Sequence, residues 1–172
     1  HHHAEEDVAA IVADAHRHLR AVEETGGSGG VRSRGYSTVR SRVLRCVMQF
    51  TRDTKIVTIG HLPGHTNGKV ALLKANGFTD VSAILCESTP VEEIKAALKR
   101  SPNSLFLVGG AMMSGFPDLM AELLAYIAEE CPTVKVHKTV KEDFDPDVSW
   151  PPTEAQVNKS ALNICLRMLK HS

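Results

Sequence analysis

The sequence contains no apolar run long enough to cross a bilayer. The longest, such as residues 104–108, fall far short of the roughly 20 residues a spanning helix needs. It has no excess of either charge, with 20 basic and 20 acidic side chains. A chain without a net field has no general attraction for nucleic acid or an anionic membrane, so neither is expected as a partner. Cysteine is sparse and scattered: Cys46, Cys86, Cys131 and Cys165 form no CxxC pair and have no histidines at zinc-site spacing. Each sits in an apolar run, where a free thiol acts as a small core residue, and a reducing, intracellular and cytoplasmic setting is expected. Nor does the opening read as a secretion signal: His1, His2 and His3 read as a tag remnant, followed by acids.

Hydrophobic content of 42% and charged content of 23% suit a globular protein, and 172 residues suffice for one domain with a core. Residues 4–25 carry Val8, Val12, Ala15, Leu19 and Val22 at alternating spacings of four and three, which predicts an amphipathic helix. Gly26-Gly27-Ser28-Gly29-Gly30 follows with the composition of a flexible linker, natural or an engineered tether, placed at 26–35. Residues 36–172 are expected to form a single α/β domain. Within 31–53, Val39, Val43, Leu44, Val47, Met48 and Phe50 fit a helix better than a strand, while the alternation from Leu44 to Phe50 leaves an edge strand open. The arginines between 32 and 45 have only Tyr36 among them, so a solvated or internally paired face is expected rather than an RNA site.

From Thr54 onward, strand and helix patterns alternate. Strands are predicted at 55–59, 80–86, 105–108 and 133–138, and helices at 65–76, 90–99 and 116–130. Gly77 is placed as the first C-cap, and Thr89 as the second N-cap with Pro90 at N1. Thr153 is expected to cap a last helix ending near Lys170, after an acidic solvated loop over 140–152. Such alternation implies right-handed crossovers and a mainly parallel four-stranded sheet, in a three-layer Rossmann-like or flavodoxin-like α/β domain.

In an open parallel sheet, ligands bind beyond the carboxyl ends of the strands, where strand order reverses. With a flavodoxin-like order of 2-1-3-4, that point lies between the first and third strands. Two glycine-rich segments, 60–68 and 109–115, meet there. In the first, Gly60, Gly64 and Gly68 let backbone N–H groups approach a ligand, Thr66 and Asn67 add polar contacts, and Lys69 supplies a cation for a phosphate. His61 and His65 are candidate acid/base or ligand-contact residues, with no metal expected. In the second, Gly109, Gly110 and Ser114 are candidate ligand contacts, and Met112 and Met113 could cover a ring or acyl group. Glu87, ending the second strand, is the candidate partner for a ribose hydroxyl. Cys86 beside it reads as structural, because nothing in the sequence supplies a base to activate it.

The run Ile56-Val57-Thr58-Ile59-Gly60-His61-Leu62-Pro63-Gly64 resembles the strand and first two glycines of short-chain dehydrogenases. The resemblance covers about thirty residues and implies nucleotide binding. Thr66 stands in place of the family's third glycine, and no tyrosine is followed four residues later by lysine. His61-Leu62-Pro63-Gly64 also resembles the His-x-x-Gly of cobalamin-binding domains, with Ile59 where that family has aspartate. Neither a P-loop nor a Gly-x-Ser-x-Gly elbow is present. The cofactor is left open. Two functions are expected in competition: a small-molecule domain for a nucleotide or other phosphate-bearing ligand, and an interaction scaffold docking a helix, the 4–25 segment or a partner's. A homo-oligomer is compatible with either.

Overall fold

The computed structural model describes residues 49–172, and the expectations for 1–48 lie outside the described residues. Four strands, β1 (Ile56–Gly60), β2 (Val81–Leu85), β3 (Leu105–Val108) and β4 (Lys135–Lys138), form one sheet. Its order is β2-β1-β3-β4 and every pairing is parallel. The helices are α1 (Pro63–Ala75), α2 (Val91–Lys99), a single turn α3 (Met112–Gly115), α4 (Pro117–Glu130) and α5 (Glu154–Lys170).

Side-chain alternation along the central strands builds two cores. Val57, Ile59, Phe106 and Val108 point one way and pack with Ile94 and Leu98 of α2 and Met120, Leu123 and Ile127 of α4. Ile56, Leu105 and Leu107 point the other way and pack with Leu73 of α1 and Ile164 and Cys165 of α5. The result is the expected three-layer α/β arrangement, with α2 and α4 on one face and α1 and α5 on the other. No described helix is long and apolar enough to cross a membrane.

Several local expectations shift. Residues 49–53 are not helical: Phe50 is buried against Phe78, ring centroids 6.2 Å apart, and a turn closes from Thr51 to Thr54. Pro90, not Thr89, stands at the N-cap of α2, because its extended ψ of 144° keeps it outside the helix. Gly77 follows the C-cap Asn76 of α1 with φ +88°, the left-handed conformation glycine adopts without strain. Thr153 caps α5 in a reciprocal box, its hydroxyl accepting from Gln156 N–H while Gln156 Oε1 accepts from Thr153 N–H at 2.9 Å.

The largest departure concerns the first glycine-rich segment. Only His61 and Leu62 separate β1 from α1, so Gly64, Asn67 and Gly68 belong to a helix, not to a ligand-cradling loop. Two of these glycines exist for helix packing. A Cβ at Gly68 would stand 2.2 Å from Asn158 Nδ2 of α5, and one at Gly64 would stand 2.6 Å from Glu154 Oε2. Such distances are far inside van der Waals contact, so the absent side chains let α5 lie against α1.

The 140–152 segment is not merely a solvated acidic loop. Asp143, 1% exposed, accepts from Val140 N–H at 2.9 Å, meets His137 Nε2 of β4 at 2.9 Å and pairs with Arg167 of α5. Burial works against its ionisation, but the Val140 N–H, the Arg167 guanidinium and His137 outweigh that and hold its carboxyl below the usual range. Asp145 pairs with Lys159 at 2.6 Å and accepts from Asn163. These contacts strap the segment across the end of the sheet.

Candidate functional site

The strand order reverses between β1 and β3, and their outgoing chains turn to opposite faces: α1 to one, α3 and α4 to the other. At that divergence lies a cavity of about 400 Å³, within the range of small-molecule sites. Its floor comes from Gly60, the last residue of β1, with His61 after it, and from Gly109 and Gly110 after β3. The strap forms its other wall through Val140, Lys141, Phe144 and Trp150, followed by Pro151 and Pro152. Phe144 and Trp150 pack edge to face, ring centroids 5.0 Å apart, and Trp150 stays 51% exposed at the mouth.

Gly60 is needed for local packing. A Cβ there would stand 2.3 Å from the Thr66 hydroxyl, which instead donates to Leu62 O at 2.9 Å. Leu62, at the N-cap of α1, offers no side-chain oxygen, so the first-turn N–H groups of Gly64 and His65 gain no side-chain cap. His61 leans on Phe116, ring centroids 5.6 Å apart, and stays half-buried at the cavity wall.

Lys69 is the most unusual lining residue. It lies two turns into α1, is only 4% exposed and faces the cavity beside Gly109, where a Cβ would sit 3.7 Å from its Nζ. Among the described residues no carboxylate lies within ion-pair distance of it. Burial pushes its pKa down from the ordinary lysine value, because the ammonium loses water without gaining a counter-charge. Lys141, exposed at the rim, is a second amine in the lining. With His61 and His65, the lining holds four basic side chains and no Asp or Glu. Among the described residues, no group of three or more His, Cys, Asp or Glu side chains is placed to hold a metal ion.

Of the residues nominated by sequence, the structure gathers Gly60, His61, His65, Thr66, Lys69, Gly109 and Gly110 around this cavity. Five others lie outside its lining. Gly64 and Gly68 face α5, and Asn67 is exposed on α1. Glu87 is exposed beyond β2, on the far side of β1 from the strap, and Ser114 is exposed on α3, its hydroxyl turned back to Ala111 O at 3.4 Å. The two methionines part company: Met112 is buried and reaches the cavity, whereas Met113 is exposed and does not line it. Cys86 is half-buried, and burial followed by the Glu87 charge raises its thiol pKa, which opposes thiolate formation.

Sequence reasoning missed Thr139, Val140, Lys141, Phe144, Trp150, Pro151 and Pro152 as lining residues. One signal was available: the chain's single tryptophan stands in an otherwise acidic segment, where an indole has no core to enter. No known protein family, curated protein or solved structure matches this chain.

Proposed function

We propose that the protein binds a small organic anion, carrying a phosphate or carboxylate, in the cavity between the β1 and β3 ends. The observation that carries this reading is the lining itself: Lys69, Lys141, His61 and His65 with no carboxylate among them. A lining whose ionisable groups are all basic, set in apolar surroundings, favours the opposite sign in its ligand. The first turn of α1 adds backbone donors at the same end of the sheet. Phe144, Trp150 and Pro152 offer flat apolar surface for the ligand's body, so a nucleotide or another phosphate ester with a ring suits the site.

Trp150 makes the test direct, because the only indole in the chain lines the cavity. Titration with AMP, inorganic phosphate and a phosphate-free nucleoside, followed by tryptophan fluorescence and thermal shift, is expected to separate anions from neutral compounds. A ligand at about 100 times its Kd adds about 2.7 kcal/mol to stability. The response should weaken with added salt and with Lys141→Ala. Equal responses to AMP and to the nucleoside, or none to any anion, would refute the proposal.

A further inference from the structure

Lys69 suits more than anion capture. For holding an anion alone, a buried guanidinium serves better, since it is always charged, weakly hydrated and forked to match two oxygens. A lysine ammonium is strongly hydrated and tolerates a dry site poorly, whereas its neutral amine is both cheaper to bury and nucleophilic. Here the two roles fall on separate residues. Lys141 at the rim is exposed to water, while Lys69 is 4% exposed at the inner wall without a described counter-charge. Gly109 presents no side chain toward the Lys69 amine, and both residues line the cavity.

Resting on the anion-binding reading above, we propose that Lys69 is an imine-forming amine and that the ligand is an aldehyde or ketone bearing a phosphate or carboxylate. The Nζ lone pair attacks the carbonyl carbon, forming the C–N bond as the C=O π electrons move to oxygen. A proton passes from nitrogen to that oxygen, giving a carbinolamine. The hydroxyl takes up a proton and leaves as water while the nitrogen lone pair closes the C=N bond, and the protonated imine then releases its N–H proton. No oxidant or reductant is needed, and hydrolysis reverses the sequence. His61 and His65 share the cavity and are the lining groups able to carry the proton to the departing hydroxyl. The burial that pushes the Lys69 pKa down also enriches the free amine near neutral pH.

Two probes separate this inference from the reading it rests on. Pyridoxine 5′-phosphate carries the anion and ring without a carbonyl; pyridoxal 5′-phosphate adds the aldehyde. The first is expected to change Trp150 fluorescence in the wild type, and less strongly in Lys69→Met, which lacks one of the lining amines. The second, with cyanoborohydride and peptide mapping, is expected to leave the reduced adduct on Lys69. That adduct should exceed the one on any exposed lysine, because burial lowers the Lys69 pKa and leaves more of its amine unprotonated. Pyridoxine 5′-phosphate should protect it. If pyridoxine 5′-phosphate binds but label falls only on exposed lysines, the imine role is overturned and anion binding stands. Labelling of Lys69 that pyridoxine 5′-phosphate neither protects nor accompanies by binding overturns the anion reading instead. No binding and no Lys69 adduct overturns both. The wild-type map decides the matter even if Lys69→Met fails to fold.

Discussion

Replacing Lys69 by methionine should make the protein more stable. The methionine side chain has nearly the length of lysine and no charge to desolvate, and the site is 4% exposed, flanked by Met112 and Gly109. Exchanging buried ionic groups for apolar ones of similar volume stabilises by about 1–4 kcal/mol where the charge is poorly compensated. Because the amine can shed its proton rather than remain charged, the lower part of that range applies, about 1–3 kcal/mol. For a chain of this length that is a Tm increase of about 3–9 °C. The pH dependence has a definite sign. Folding lowers the Lys69 pKa below 10.5, so between the folded and unfolded values the unfolded chain holds a proton that the folded chain has released. Stability contributed by this residue therefore rises with pH through that window, and the penalty is full below it. Methionine has no such proton. The advantage of the variant should thus be largest at neutral pH and shrink toward about pH 10. Urea unfolding of both proteins across that range, with the difference taken at each pH, cancels the lysines whose pKa values are raised by ion pairs, such as Lys95 and Lys159. A variant less stable than wild type at neutral pH, or an advantage that grows with pH, would refute the account of Lys69 as a buried, uncompensated amine.

Three further outcomes follow from packing and charge. Gly68→Ala should destabilise by about 1–3 kcal/mol through overpacking against Asn158. Adding Asn158→Ala should remove that cost and expose the helix-propensity gain of about 1 kcal/mol, while anion binding stays unchanged; urea unfolding of the four proteins of the cycle measures both terms. Asp143→Asn should cost about 2–3 kcal/mol by weakening the charged hydrogen bonds that hold the strap. Since the folded Asp143 carboxyl lies below 3.8, its stabilisation is present above that value and lost as pH falls through the folded pKa. Wild type should therefore approach the Asn variant in stability on acidification, which acid titration of the unfolding midpoint checks. Burial pushes the Cys165 thiol up to about 12, so a disulfide reagent near neutral pH should leave it unmodified until the protein is unfolded, as peptide mapping would show.

The sequence by itself determined the order and kind of the four strands and of the helices α1, α2, α4 and α5, though not the short turn α3, which it read as loop. These features are encoded locally: β-branched runs such as 56–59, a C′ glycine at 77 and a capping box at Thr153 act within a few residues. The crossover handedness of parallel strands then leaves few topologies, among them the 2-1-3-4 order. The cavity-lining residues were legible where they adjoin a strand end, as with His61 and Gly109. Only the tertiary structure decided the purpose of Gly64 and Gly68. A missing Cβ serves a loop that approaches a ligand and a helix that approaches another helix equally well, and the distinction lies in Glu154 and Asn158, ninety residues away along the chain. The same holds for the second wall of the cavity. Phe144 and Trp150 face the β1 end because Asp143 binds both His137 and Arg167, a meeting of three segments that no local pattern contains.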